Sequence, residues 1–292
     1  MQRLNIIGCG RVGRTLARLW REHGVFAIGD VYDHTLIKSR AAVEFIGDGG
    51  ACADVGGMQR AAVWMLTPPD DRIAGCCREL STGGALAAGN IVFHCSGALP
   101  SGELAAATAR GAFAASIHPL KTFADAATAV RSFAGTSCAA EGDAAALAVL
   151  KPAFERIGAQ VFEIAPAAKT LYHAAGVIAC NYLTALLEAG VRCYGQAGIT
   201  REVGMRMMEP LVRETIDNVF AHGSARALTG PIARGDIEVV RRQLAALAAA
   251  DPRIAAVYRS LGVIAADIAR TGGRADAAAL AAIDALLLDK RA

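Results

Sequence analysis

Lys169, His173 and Asn181 stand at i, i+4 and i+12 on an otherwise apolar stretch of the sequence. Residues four apart lie one turn along a common helical face, so a lysine, an imidazole and an amide would project together. An ammonium or imidazolium can give a proton to a developing alkoxide, and a carboxamide can orient a carbonyl or carboxylate. Singly, Lys169 reads equally well as a solvated first-turn residue, and His173 and Asn181 as satisfied core polars. As a row, beginning where the character of the chain changes, they point to a catalytic site whose proton donor is Lys169 or His173.

A second constellation opens the chain. The apolar run 4–7 ends in Gly8-Cys9-Gly10-Arg11-Val12-Gly13, and an amphipathic segment with Leu16, Leu19 and Trp20 follows. Strand, glycine turn and helix in that order suit a dinucleotide pyrophosphate. Gly8 permits the tight turn, Gly10 the close approach of backbone to phosphate, and Gly13 the packing of helix on sheet. The helix then offers unpaired N–H groups to the anion. The stretch 8–13 is therefore the expected cofactor grip.

Further residues fall where a cofactor would be met. Asp33 lies twenty residues after Gly13, where an acid bonds the adenosine ribose and favours NAD. His34, Lys38 and Arg40 follow, and could neutralise the 2′-phosphate of NADP; Lys38 and Arg40 also read as a solvated helix start. Thr67-Pro68-Pro69-Asp70 and His94-Cys95-Ser96-Gly97 each follow an apolar strand, so Thr67, Pro68 and Ser96 should border the cofactor. His118, before Pro119, is similarly placed, or else simply bonds the backbone at a turn. In the turn 228–236, Arg234 could clamp a substrate carboxylate, while Asp236 reads as the cap of the next helix.

These residues need elements to hold them. Apolar runs at 4–7, 25–32, 61–66, 91–94 and 112–117 alternate with helical patterns at 11–23, 38–45, 70–80 and 101–109. That alternation is the signature of a mostly parallel sheet covered on both faces. Weaker strands at 136–140 and 160–164 flank a helix at 143–157. Beyond 165 the strand signals vanish, and helical periodicity runs through 167–196, 200–221, 237–249, 252–270 and 274–288. The expectation is α/β: a Rossmann-like, doubly wound domain at 1–165, then an all-helical domain at 166–292. The helical domain would close the substrate cleft and form a homodimer.

Composition narrows the classes. The chain has 292 residues, 20% of them charged, and a net charge of +3, which leaves no electrostatic footprint for nucleic acid. Its eight cysteines form no C-x-x-C pair and no zinc-finger spacing, so no metal site and a reducing, cytoplasmic setting are expected. No secretory pattern precedes the first strand. The stretch 171–190 comes nearest to a membrane span, but it carries His173, Asn181 and Glu188, so a buried helix is expected and no membrane partner.

With these residues in view, the chain resembles bacterial proteins that join a Rossmann-like domain to a helical domain of unknown function, number 2520. The likeness rests on 8–13, Cys95-Ser96-Gly97-Ala98-Leu99, His118-Pro119-Leu120-Lys121-Thr122-Phe123, Lys169–Ala175, Asn181 and the turn 228–236. It is similar in architecture to NADP-dependent reductases: pyrroline-5-carboxylate reductase, 6-phosphogluconate and β-hydroxyacid dehydrogenases, and ketopantoate reductase. In the β-hydroxyacid and ketopantoate enzymes a lysine with an asparagine one turn later serves catalysis. Lys169 matches the lysine, His173 stands at the asparagine position, and Asn181 lies two turns further on. The resemblance implies NADP, with NAD possible, and a hydride exchanged with a small carbonyl acid such as a ketopantoate-like 2-oxo acid. Lys169 would be the general acid, and His173 and Asn181 would position the substrate. A non-catalytic NAD(P) sensor and a reductase using a deazaflavin are the competing readings.

Overall fold

The alternating apolar runs form one eight-stranded sheet in order β3-β2-β1-β4-β5-β6-β7-β8 in the computed structural model, which describes residues 1–289. Its strands are β1 (Gln2–Ile7), β2 (Phe26–Tyr32), β3 (Gly50–Cys52), β4 (Val63–Leu66), β5 (Ile91–His94), β6 (Phe113–Pro119), β7 (Ser137–Gly142) and β8 (Gln160–Glu163). All neighbours pair in parallel except β6 and β7. The chain first winds outward through β3, then crosses to β4 on the other side of β1. The reversal leaves a crevice at the carboxyl ends of β1 and β4, where ligands of such sheets bind.

Helices α1 (Arg11–Glu22), α2 (Leu36–Ile46), α3 (Asp70–Thr82), α4 (Ala105–Thr108), α5 (Ala126–Arg131) and α6 (Ala144–Glu155) cover the sheet. One face packs Trp20 edge-on against Phe26, Phe93 and Phe154, and the indole N–H donates to Ala153 O at 2.9 Å. The other buries Trp64, Leu66, Ile73 and Leu104. The sequence reading missed β3 and α5, each too short to show a period. The expected helix at 101–109 begins as a 3₁₀ turn, Ser101–Leu104.

The fold divides into two compact units, Met1–Ala179 and Cys180 onward. The helix expected at 167–196 therefore serves both. It runs as a 3₁₀ turn (Pro166–Ala168), α7 (Lys169–Gly176), a π turn (Val177–Asn181) and α8 (Tyr182–Gln196). By length and mean hydropathy (1.4) it is the one described helix that could cross a membrane, and only 6% of that window is buried. The expectation of a buried helix is thus corrected. Leu171, Ile178 and Tyr182 are exposed because apolar residues run around more of the helix than its neighbours cover.

The second unit continues with α9 (Arg201–His222), α10 (Ser224–Ala227), α11 (Pro231–Arg234), α12 (Ile237–Ala250), α13 (Pro252–Gly272) and α14 (Ala277–Leu288). Thr200 and Asp236 cap α9 and α12 by accepting from Val203 N and Val239 N, the second as its position in the sequence suggested. Its core is small: Ile232, Val240, Ala266, Ile283 and Leu287. An apolar hollow of about 570 Å³ lies among Leu186, Met208, Leu211, Tyr258 and Leu261. The last three residues of the expected second domain, 290–292, lie outside the described residues.

Candidate active site

The glycine turn has the geometry its residues imply. Gly8 adopts φ +88°, and a Cβ there would sit 2.6 Å from the Thr67 carbonyl carbon, against backbone that cannot move aside. Thr67 closes the turn by donating its hydroxyl to Gly8 O at 2.6 Å. Nothing lies within 4 Å of a Cβ built on Gly10. Gly10 precedes α1 and gives it no side-chain cap, and no acid stands in the first turn. The first N–H groups of α1 therefore face open space with the positive end of the helix dipole, which is an anion site in waiting.

Beside this turn, a hollow of about 500 Å³ is lined by Gly8, Gly10, Asp33, His34, Lys38, Thr67, Pro68 and Arg72, among others. Asp33 Oδ2 accepts from Cys9 N at 2.8 Å, tying the end of β2 to the glycine turn. Its Oδ1 accepts from His34 N and lies 2.6 Å from His34 Nδ1. His34 Nε2 lies 3.1 Å from Lys38 Nζ. Only one tautomer satisfies both contacts: Nδ1–H donates to the carboxylate and Nε2 accepts from the ammonium. The acid expected to meet the ribose is thus partly screened by an imidazole and a lysine. Arg72, from α3, brings a third basic residue to the hollow, which the sequence reading did not foresee. Arg11 reaches away, to Phe123 O at 3.5 Å, and Val12 packs on the core. These residues fit a dinucleotide. The turn and helix would hold its pyrophosphate, and the hollow its adenosine.

A second polar group lies further along the same sheet edge. Strand register places His94, Ser116 and Glu141 side by side on β5, β6 and β7. Directly paired residues share a face, so the three form a polar row on a buried sheet. Lys169 drops onto this row. Its Nζ donates to Ser116 Oγ and lies 3.7 Å from Glu141 Oε1, with both charged side chains 1% exposed. Glu141 also accepts from Ser101 N and Ser101 Oγ, each at 2.7 Å. Burial pulls the Lys169 ammonium below the ordinary lysine range, against the opposing pull of Glu141. The reading of Lys169 as a solvated first-turn residue is overturned, and so is its expected presentation to a substrate. The spacing put Lys169 and His173 on one face, but that face turns inward at the lysine, where Glu141 can pair it.

His94 is fully buried; Nδ1 accepts from Ser96 N at 3.2 Å and Nε2 meets Pro100 O at 3.1 Å. Nε2 must carry the proton, and burial lowers the imidazole to about 4. Ser96 Oγ donates to Asp70 Oδ2 at 2.7 Å and accepts from Ala98 N and Leu99 N, fixing the loop after β5.

Gly97 follows, and a Cβ there would fall 2.5 Å from His173 Cδ2 and 2.8 Å from His118 Nε2. Only glycine admits both imidazoles over this loop. The His118 and His173 rings stand edge to face at 6.0 Å, and His118 Nδ1 lies 3.2 Å from Tyr172 Oη. Burial, then the Lys169 cation, then His173 lower His118 to about 4. Burial raises the Tyr172 phenol above its ordinary range, so it keeps its proton at neutral pH.

The structure therefore gathers Lys169, His173, His118, Ser96 and Thr67 along one sheet edge. Asn181 is exposed and belongs to the second unit, as does Arg234, exposed at the end of α11. Sequence reasoning missed Glu141, Ser101, Ser116, His94 as a hub, and Tyr172. The alternation Ser116-Ile117-His118 on a buried strand was the available signal. Among the described residues no cluster of potential ligands suits a metal ion, and all eight cysteines are free.

The parallel sheet reversing at β1 and β4, with a glycine turn at its carboxyl edge, defines a Rossmann-like domain. Residues 2–119 match the Rossmann-like domain family and residues 136–264 match the domain of unknown function DUF2520. The two matches follow one another along the chain and leave only short stretches before, between and after them. Among solved structures it is similar to protein TM1727 from Thermotoga maritima, with 25% identity and TM-score 0.75 over 93% of this chain and 100% of that one. BF3122 from Bacteroides fragilis, a proposed NADP oxidoreductase, gives 20% identity and TM-score 0.66, covering 89% and 96% of the two chains. The imine reductase of Streptomyces aurantiacus gives 14% identity and TM-score 0.62 over 98% and 99%. The last two share the fold. No curated protein matches the chain.

Proposed function

We propose that the protein is an NAD(P)-dependent oxidoreductase that passes a hydride between a nicotinamide and a small carbonyl acid, NADP being the preferred cofactor. The observation that carries this reading is the uncapped start of α1 behind Gly8 and the open face of Gly10, beside a hollow lined by Asp33, His34, Lys38 and Arg72. His34 and Lys38 against Asp33, with Arg72 opposite, favour a 2′-phosphate over a bare ribose. Leu66, His94 and Ser116 are level on β4, β5 and β6, so a cofactor laid along this edge runs from Thr67 past Ser96 and Gly97 to His118. The nicotinamide would end beside His118 and His173, with His173 orienting the substrate and Lys169 anchoring α7 behind it. Bound there, the dinucleotide supplies or takes the hydride, and the chain supplies orientation and proton exchange.

Ketopantoate-like 2-oxo acids are the first substrates to test. The imine reductase fold makes C=N compounds the necessary comparison set. The exposed apolar residues of α7, α8 and α13 and the apolar hollow of the second unit favour a homodimer. Eight free cysteines suit a cytoplasmic setting.

Fluorescence titration with NADPH and NADH, followed by turnover on a panel of 2-oxo acids and cyclic imines, tests the function. Binding of NADPH ahead of NADH with turnover is expected. Failure to bind either dinucleotide would sink the assignment, and binding without turnover of any panel compound would favour a sensor. Sedimentation equilibrium reads the assembly state.

A further inference from the structure

We propose that Tyr172 is the catalytic residue that exchanges the proton with the substrate, working through its hydrogen bond to His118; this rests on the oxidoreductase reading above. The polar row on the sheet leaves few groups free to do it. Lys169 is enclosed, its ammonium held by Ser116 and Glu141, and a proton leaving it would strand a buried carboxylate. His94 is sealed behind Ser96 and Pro100. Ser96 Oγ already serves Asp70 and two backbone N–H groups.

What remains at the carboxyl edge is the cluster over Gly97: His118, His173 and Tyr172. His118 stands two residues beyond Ser116 on β6, so it points to the same face but nearer the strand end. Tyr172 Oη lies 3.2 Å from His118 Nδ1, and the two rings meet edge to face at 5.8 Å. The Phe162 ring also meets the phenol ring edge to face, at 6.3 Å. Tyr172 is half-buried, and its ring is held by the aromatic contacts on His118 and Phe162.

With His118 uncharged, its ring can adopt the tautomer that donates Nδ1–H to Tyr172 Oη. The phenolic hydrogen is then free to point at a substrate oxygen. In reduction, the hydride pair forms a C–H bond at the carbonyl carbon and the C=O π pair moves onto oxygen. That oxygen takes the Tyr172 proton, while the nicotinamide that supplied the hydride leaves oxidised. The phenolate is held by His118 Nδ1–H and takes a proton from water. The charged or titratable groups facing the phenol from the packed elements are His118, His173 at the same cluster, and the buried Cys138 thiol, with the Lys169 ammonium behind Ser116.

The test needs no known substrate. Phenolate absorbance is titrated in the complexes with NADP⁺ and with NADPH, for the parent and for Tyr172→Phe. An oxidised nicotinamide places a positive charge near Oη. One tyrosine should then ionise about one pH unit lower with NADP⁺ than with NADPH, a modest share of the attraction of unit charges at partly screened close range. Tyr172→Phe should abolish that difference. An equal titration in both complexes, or a difference that survives in Tyr172→Phe, overturns the assignment. With any panel compound that turns over, Tyr172→Phe should lower kcat by about 100-fold or more, with KM and cofactor Kd within about twofold. An unchanged kcat alongside normal cofactor binding overturns Tyr172 alone, whereas a parent that binds no dinucleotide overturns the underlying function as well.

Discussion

Acid should destabilise the first unit through His94, and the size of the effect follows from its surroundings. The ring is fully buried; Nδ1 accepts from Ser96 N at 3.2 Å and lies 3.3 Å from Ser116 Oγ, which itself receives from Lys169. A second proton on the ring would set an N–H against the Ser96 N–H, with a buried ammonium one hydroxyl away. The folded imidazole accordingly titrates near 4 rather than 6.5. A histidine with a lowered folded pKa contributes stability that is fully present above 6.5. It is lost as pH falls from 6.5 towards 4, because only the unfolded chain takes up the proton in that window. Between pH 7 and 4.5 the loss comes to roughly 2–3 kcal/mol for this one ring. Urea unfolding of the parent and of His94→Gln, whose amide can still donate to Pro100 O, isolates the contribution. His118 titrates in the same window but is common to both proteins. The gap between the two stabilities should shift against the parent by that amount as pH falls. A gap independent of pH would refute the neutral, Nε2-protonated histidine and the polar row built on it.

Three further outcomes are expected. Glu141→Gln should destabilise by about 3–5 kcal/mol by leaving the Lys169 ammonium unpaired, and Glu141→Gln with Lys169→Met should recover much of the loss in the same denaturation assay. Gly97→Ala should cost about 1–3 kcal/mol in stability, since its methyl must displace two imidazoles, and should weaken NADPH binding measured by fluorescence. Lys38→Ala with Arg72→Ala should raise the Kd for NADPH by roughly 10- to 100-fold, the worth of one or two charge-assisted bonds, while NADH shifts less than about twofold. Equal losses for both cofactors would mean that these residues do not read the 2′-phosphate.

Sequence alone determined the α/β layering, the glycine grip and the helical second half, because each is a local property. Apolar runs set strands, 3.6-residue periods set helices, and the turn at 8–13 takes its path from its own glycines, Gly8 at positive φ among them. The cap at Asp236 was legible for the same reason. Tertiary structure decided which side of a helix faces in. Spacing placed Lys169 and His173 together, but only the register of β6 against β7 brought Ser116 and Glu141 beneath the lysine and turned an expected donor into an anchor. Residues more than fifty positions apart, such as His118 and Tyr172, leave no joint mark in a single sequence. A buried charge settles where a partner can neutralise it, and that partner is chosen by the fold.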